Sequence, residues 1–113
     1  MDKDELYLKG MEAFSEDRFE DAVTYLRQAT ELDADFADAY HALAMACYHH
    51  GDFDGSIQAS KRLTELEPEN ILGWTSLSMA YQRKGMIAEA EAAGGRAKAL
   101  GFKDPFGKSK TER

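Results

Sequence analysis

The chain has 113 residues, of which 43% are hydrophobic and 31% charged, and this composition is typical of one folded domain and excludes a disordered chain. No run of about 18 uncharged apolar residues is present, and the first residues, Met1–Glu5, lack the basic-then-apolar order of a signal peptide. We therefore expect no membrane span and a cytoplasmic location.

The net charge of −7 is distributed unevenly along the chain. Residues 1–36 carry −7, residues 37–70 carry −4 and residues 71–113 carry +4. A nucleic-acid-binding protein needs a basic stripe that displaces counterions, so the acidic majority argues against that class. Cys47 is the single cysteine, which excludes an internal disulfide and a thiol-rich metal motif.

The sequence repeats with a period of 34 residues, because five columns of residues recur at that spacing without a gap. A fixed period of this size is typical of stacked arrays whose units cannot bury their apolar faces alone. The five columns are Leu6/Tyr40/Trp74, Gly10/Ala44/Ser78, Phe19/Phe53/Ile87, Ala22/Ser56/Ala90 and Ala29/Leu63/Ala97.

Each unit is predicted to contain two helices, because apolar residues recur at i, i+3, i+4 and i+7 and period-two alternation is absent. The first unit shows its second helix from Phe19 onwards, and the middle unit has helices over about 37–50 and 53–66. The second helix of the third unit is predicted to be the least stable helix. Gly94 and Gly95 in its interior each lower helix stability by roughly 1 kcal/mol relative to alanine.

The breaks between helices are as regular as the helices. Gly51 and Gly85 end the first helices of two units, and residues 33–35 and 68–70 separate one unit from the next. Asp and Asn in these linkers are expected to accept hydrogen bonds from free amides at the next helix start. Turns this short predict antiparallel helix pairs.

These columns resemble the tetratricopeptide repeat family over residues 3–104. We number the 34 positions of each repeat from Lys3, Ala37 and Ile71. The resemblance rests on a large residue at position 4, a small residue at position 8 and a proline, Pro68, at position 32. The resemblance implies an all-α, right-handed α-solenoid of three helix-turn-helix repeats, with six antiparallel helices and no strands. The implied units are repeats 3–36, 37–70 and 71–104 and a basic C-terminal tail, 105–113.

Two departures from the family pattern are informative. Lys9 occupies position 7, where the family prefers leucine, and position 24 changes from Leu26 to Ser60 to Gly94. Arrays of this family usually end in an extra solvating helix, but residues 101–107 are too rich in glycine and proline to form one. We therefore expect the last repeat to be uncapped.

The resemblance also implies a concave groove lined by the first helices. Position 9 is methionine in every repeat, so Met11, Met45 and Met79 form a stripe, and flexible thioethers suit an adaptable apolar surface. Asp4 and Asp38 at the groove entrance favour a ligand with basic as well as apolar residues. The predicted groove residues are Tyr7, Met11, Phe14, His41, Met45, Tyr48, His49, Thr75, Met79, Gln82 and Arg83.

The resulting interpretation is a non-enzymatic adaptor that binds an apolar or amphipathic segment of another protein in this groove. No phosphate loop, nucleophile elbow or carboxylate pair indicates an enzyme, and we expect no cofactor. The clamp with which some family members grip acidic chaperone tails is absent. Its places hold Tyr7, Met11, Ala42, Leu72 and Ser76.

Four alternatives remain open. The methionines could be ordinary packing between helices. His41, Met45 and His49 could hold a soft metal, although their spacing is a weak signal and we predict none. The chain could be a scaffold that dimerises or stacks through its last repeat, with Gly94, Gly95 and Phe102 as contact candidates. Finally, its own tail could fill the groove through Phe102 and Phe106.

Overall fold

The computed structural model describes residues 1–102, and all regular secondary structure within them is helical. Helices α3 and α4 begin and end where the sequence pattern predicts, whereas the predicted tail, residues 105–113, lies outside the described residues. The helices are α1 (Lys3–Ser15), α2 (Phe19–Leu32), α3 (Ala37–His50), α4 (Phe53–Leu66), α5 (Ile71–Arg83) and α6 (Ile87–Phe102).

The six helices form a two-layered array. Helices adjacent in sequence pack against each other, and α1, α3 and α5 also contact one another in turn. Within residues 1–102, α2, α4 and α6 make no comparable contacts among themselves, so they form the outer layer. The array measures 49 × 30 × 25 Å, and the predicted all-α solenoid is confirmed.

None of the described helices has the length and apolar character that a membrane span requires. The cytoplasmic location stays a prediction.

The turn after each first helix contains one residue with positive φ. Gly51 has φ 90° and Gly85 has φ 78°, a region that glycine adopts without a steric penalty. The first repeat places Asp17 there at φ 60°, because aspartate tolerates the left-handed conformation better than most residues. The predicted helix ends at Gly51 and Gly85 are thus confirmed.

The linker side chains cap fewer helices than the sequence suggests. Asn70 Oδ1 accepts a hydrogen bond from the Leu72 amide at 3.0 Å, as expected for the start of α5. The same expectation for the linker 33–35 is wrong, because Asp33 Oδ1 accepts from the Asp35 amide at 2.9 Å inside the linker. Helix α3 therefore begins after Phe36 without a side-chain cap.

In the first and third repeats, positions 8 and 24 share one space between the two helices of the repeat. Leu26 is fully buried against Gly10, where an added Cβ would lie 2.5 Å from Leu26 Cγ. In the third repeat the sizes are reversed, because a Cβ on Gly94 would lie 3.2 Å from Ser78 Oγ. A small residue on one helix therefore matches a larger one on the other, which keeps the packing dense.

Helix α6 continues through both of its central glycines, and only the first of them contacts α5. Gly95 is exposed and a Cβ there would meet no atom within 4 Å. We expect Gly95→Ala to raise the free energy of unfolding by about 1 kcal/mol, because alanine loses less backbone entropy in a helix. Thermal and urea unfolding followed by circular dichroism measure the change.

The control for this variant is Gly51→Ala, which also meets no atom within 4 Å but sits at φ 90°. Alanine in that conformation costs about 1–2 kcal/mol, so the two substitutions should shift stability in opposite directions. A stabilisation by Gly51→Ala, or a loss by Gly95→Ala, would contradict this account.

Candidate functional site

The concave side of the first helices contains two adjoining depressions. The first, of about 280 Å³, lies between α1 and α3, and the second, of about 300 Å³, lies between α3 and α5. His41 and Met45 line both, so the depressions form one concave groove. Its lining residues are Tyr7, Met11, Phe14, Asp38, His41, Ala42, Met45, Leu72, Thr75, Ser76 and Met79.

The three methionines lie along this concave groove, one on each first helix. Met11 is 36% exposed, and Met45 and Met79 are half-buried, so none of them belongs to the closed core. Fully buried small side chains, such as Ala39 and Ala46, instead fill the junction between α2 and α3. The methionine side chains are therefore open to solvent on one side, as an adaptable contact surface requires.

The wall of the first depression combines an aromatic ring with a carboxylate. The Tyr7 ring lies 5.2 Å from the Phe36 ring, and Asp38 is exposed at the groove edge. Burial, together with the nearby Asp38 carboxylate, raises the pKa of the Tyr7 hydroxyl. This end of the groove offers an apolar floor beside a negative charge.

Three of the predicted groove residues lie beyond the depressions, where they bridge neighbouring repeats. The His49 ring stacks on the Phe19 ring, with centroids 5.1 Å apart and planes at 19°. The Arg83 guanidinium lies 4.6 Å from the Phe53 ring and 5.5 Å from the Tyr48 ring. Position 13 of one repeat thus covers position 17 of the preceding repeat, a contact that fixes their relative orientation.

Gln82 is exposed and lines neither depression. The sequence interpretation missed the contribution of Ala42 and Ser76, which form part of the groove floor. Both occupy position 6, and their small size could have indicated a site where the helices approach closely. It also missed the rings of Phe19 and Phe53 as partners of His49 and Arg83.

The potentially reactive side chain of Cys47 is enclosed. Cys47 is fully buried, and burial raises the pKa of its thiol to about 11, with Asp52 acting in the same direction and Arg27 opposing it. The thiolate is the nucleophilic form, so this cysteine is inert at neutral pH. Within residues 1–102, no cluster of three or more histidine, cysteine, aspartate or glutamate side chains has the arrangement of a metal site.

Paired antiparallel helices stacked around a concave apolar groove define an α-helical repeat protein. The chain belongs to the tetratricopeptide repeat family, because the family model described as "Tetratricopeptide repeat" matches residues 13–78, more than half of the chain. No curated protein matches the sequence.

Several solved structures share the fold. The crystal structure of MamA aligns with a TM-score of 0.86 at 27% identity, covering 93% of this chain and 61% of that chain. The Yersinia enterocolitica type III secretion chaperone SycD, in complex with a peptide of the translocator YopD, gives 0.83 at 20% identity, with 93% and 80% covered. YrrB, described as a TPR protein with an unusual peptide-binding site, gives 0.86 at 19% identity, with 92% and 54% covered.

At these identities the likeness to SycD and YrrB is one of fold alone. The chain spans about 60% of the length of the first structures that it matches.

Proposed function

We propose that this protein binds an apolar or amphipathic segment of another protein in its concave groove and acts without catalysis. The observation that carries the proposal is the continuity of the two depressions through Met45 and His41. Together they offer an apolar surface that runs across all three first helices, as an amphipathic helix requires. We also propose that the repeats are residues 3–36, 37–70 and 71–104.

The structural neighbours support protein binding in general. SycD was solved with a peptide of YopD, and YrrB is described as having a peptide-binding site. Scc3 was solved in a complex with CopN. These are properties of those proteins, and they make a peptide or protein ligand the first class to test here.

The charge around the groove specifies the ligand further. Asp4 and Asp38 are exposed on the first turns of α1 and α3, and Asp38 lines the first depression. A ligand with lysine or arginine beside its apolar face would pair with these carboxylates, whereas an acidic ligand would be repelled. The groove therefore favours a basic amphipathic helix over an acidic one.

The substitution Met11→Glu tests this site. Met11 is 36% exposed, so a glutamate there can reach solvent while it replaces apolar groove surface with charge. We expect the affinity for a leucine–lysine amphipathic peptide of about four helical turns to fall about tenfold or more, because the contact surface loses an apolar anchor. Fluorescence anisotropy of the labelled peptide measures the affinity.

The matched control is Leu32→Glu, which places the same charge on a side chain that is 61% exposed on α2, outside the groove. This variant should bind like the natural chain, and circular dichroism should show equal helicity for both variants. A peptide with glutamate in place of lysine should bind more weakly. Equal loss in both variants, or equal affinity for both peptides, would refute the proposal.

A further inference from the structure

The two depressions of the concave groove differ in charge. Position 2 of each repeat, in the first turn of its first helix, holds Asp4, Asp38 and Leu72 in turn. Asp38 lines the first depression and Leu72 lines the second, and no acid, lysine or arginine is among the described residues that line the second. The negative charge at this edge of the groove therefore lies beside the first depression.

The carboxylates at this edge are accessible to a ligand. Asp4 and Asp38 are exposed, and neither takes part in an ion pair within residues 1–102. The charge of Asp38 also acts on the wall of the first depression, because burial and this carboxylate together raise the pKa of the Tyr7 hydroxyl. A lysine or arginine of a ligand seated here would neutralise that charge.

The two depressions also differ in the kind of apolar surface that they offer. The rings of Tyr7 and Phe14 line the first depression together with Met11. Leu72 and Met79 line the second, and no phenylalanine, tyrosine or tryptophan is among its described lining residues. An aromatic side chain gains ring–ring and sulfur–ring contacts only in the first depression, whereas an aliphatic side chain suits the second.

The distance between the depressions sets the spacing of the side chains that would fill them. Each depression lies between two neighbouring first helices, and α3 forms one wall of both. Packed helices have axes about 8–10 Å apart, so the depressions are about one such distance apart. Seven residues of an α-helix span about 10 Å and return to the same face. A helical ligand lying across the first helices would thus fill both depressions with anchors seven residues apart.

We propose that the ligand carries an aromatic anchor beside basic residues and, seven residues away, an aliphatic anchor without them, and that the aromatic anchor occupies the first depression. This inference rests on the function proposed above and specifies its ligand as a helix with positive charge at one end. Charge complementarity selects this partner, because Asp4 and Asp38 lie at one end of the groove. A uniformly basic helix would leave its second basic group beside Leu72, where no carboxylate pairs with it.

Two labelled peptides of identical composition test this assignment by fluorescence anisotropy with the full chain. Both carry phenylalanine and leucine anchors seven residues apart on a neutral alanine–glutamine helix. In the matched peptide, two lysines lie one turn beyond the phenylalanine, on the side away from the leucine. In the crossed peptide, the lysines lie one turn beyond the leucine, so that either orientation in the groove satisfies only one of the two preferences.

We expect the matched peptide to bind about threefold or more tightly than the crossed peptide. The difference should shrink when salt is raised to about 0.5 M, because it depends on exposed charges. A third peptide, with the matched lysines but anchors four residues apart, should also bind about threefold or more weakly than the matched peptide, because it fills only one depression.

Exchanging the residues at position 2 moves the charge without changing the composition of the protein. In the double variant Asp38→Leu/Leu72→Asp the acid lies beside the second depression, and both positions are exposed, Leu72 to 52%. The preference for the matched peptide should disappear or reverse. Circular dichroism checks that the variant is helical, and the comparison of peptides on the natural chain does not depend on this variant.

The outcomes separate this inference from the proposed function. Equal binding of the matched peptide and the other two peptides to the natural chain would show that the assignment of anchors is wrong, while the groove remained a peptide site. Absence of binding by all three would overturn the proposed function as well. An unchanged preference in the double variant would place the lysines elsewhere. A dimer of the chain that the peptides dissociate, detected by sedimentation, would assign the groove to a second copy. Both of these last results would overturn the proposal.

Discussion

Ala46→Glu is expected to lower the free energy of unfolding by about 3–5 kcal/mol, the largest effect among the substitutions considered. Ala46 is fully buried in the cluster that joins α2 to α3, together with Val23 and Leu43. A glutamate there would bury a charge without a partner and push the two helices apart. Urea unfolding followed by circular dichroism measures the loss, and partial unfolding in buffer would be consistent with it.

The control exploits the repeat. Glu12 occupies the same position in α1 but is exposed, because no repeat precedes it among the described residues. Glu12→Ala should therefore change stability by no more than about 0.5 kcal/mol. Ala46→Gln, equal in size but uncharged, separates charge from overpacking and should be the milder variant at position 46. If Ala46→Glu were as stable as the natural chain, α3 would not pack on α2 as described.

The order and ends of the helices could be predicted because they depend on local chemistry that is written in the sequence. The 34-residue period gives the length of each unit, the helical spacing of apolar residues predicts two helices within it, and Gly51 and Gly85 mark where α3 and α5 end. The linker 33–35 shows the limit of such reasoning. Its aspartates have the residue type of helix caps, yet the Asp33 side chain accepts a hydrogen bond from the Asp35 amide within the linker. The sequence does not decide whether such a side chain bonds within the linker or to an amide at the start of the next helix.

The residues of the candidate site could be predicted in part. The family resemblance indicated Tyr7, Met11 and Met45 as groove residues, and the structure places them in the first depression; their role in binding stays a prediction. It could not indicate that His49 and Arg83 would cover aromatic rings of the preceding repeat. That contact depends on the offset between successive repeats, which is a property of three-dimensional packing. The column Phe19/Phe53/Ile87 is visible in the sequence, but it does not indicate which residue of the next repeat covers these rings.

The sequence analysis also did not predict that positions 8 and 20 of a repeat contact each other. Ser56 Oγ donates to the Ala44 carbonyl at 2.9 Å, whereas in the next repeat Ser78 Oγ donates to the Ala90 carbonyl at 2.8 Å. The same two positions are bridged in both repeats, but the hydroxyl has moved from one helix to the other. At each of the two positions alone, the residue changes between alanine and serine. Taken together, the two positions keep one hydrogen bond between the two helices of both repeats.

Leu26→Ala is expected to lower the free energy of unfolding by about 3 kcal/mol, because it removes a fully buried side chain from the centre of the first repeat. Gly10, which lies opposite, offers no side chain to fill the cavity. Chemical unfolding measures the change. Leu32→Ala is the matched control, because Leu32 is 61% exposed on the same helix. This substitution should change the free energy of unfolding by less than about 0.5 kcal/mol.

The coupling between Leu26 and Gly10 gives this prediction its sharpest test. Gly10→Ala alone should destabilise the protein by about 2 kcal/mol, because the new Cβ would lie 2.5 Å from Leu26 Cγ. In a Leu26→Ser background most of that penalty should disappear, since the second repeat already combines Ala44 with Ser60 at these positions, both buried. A double-mutant cycle should therefore give a coupling of about 1 kcal/mol or more. Additive effects would show that the two positions do not share one space, and the matching of small and large residues across the repeats would need another cause.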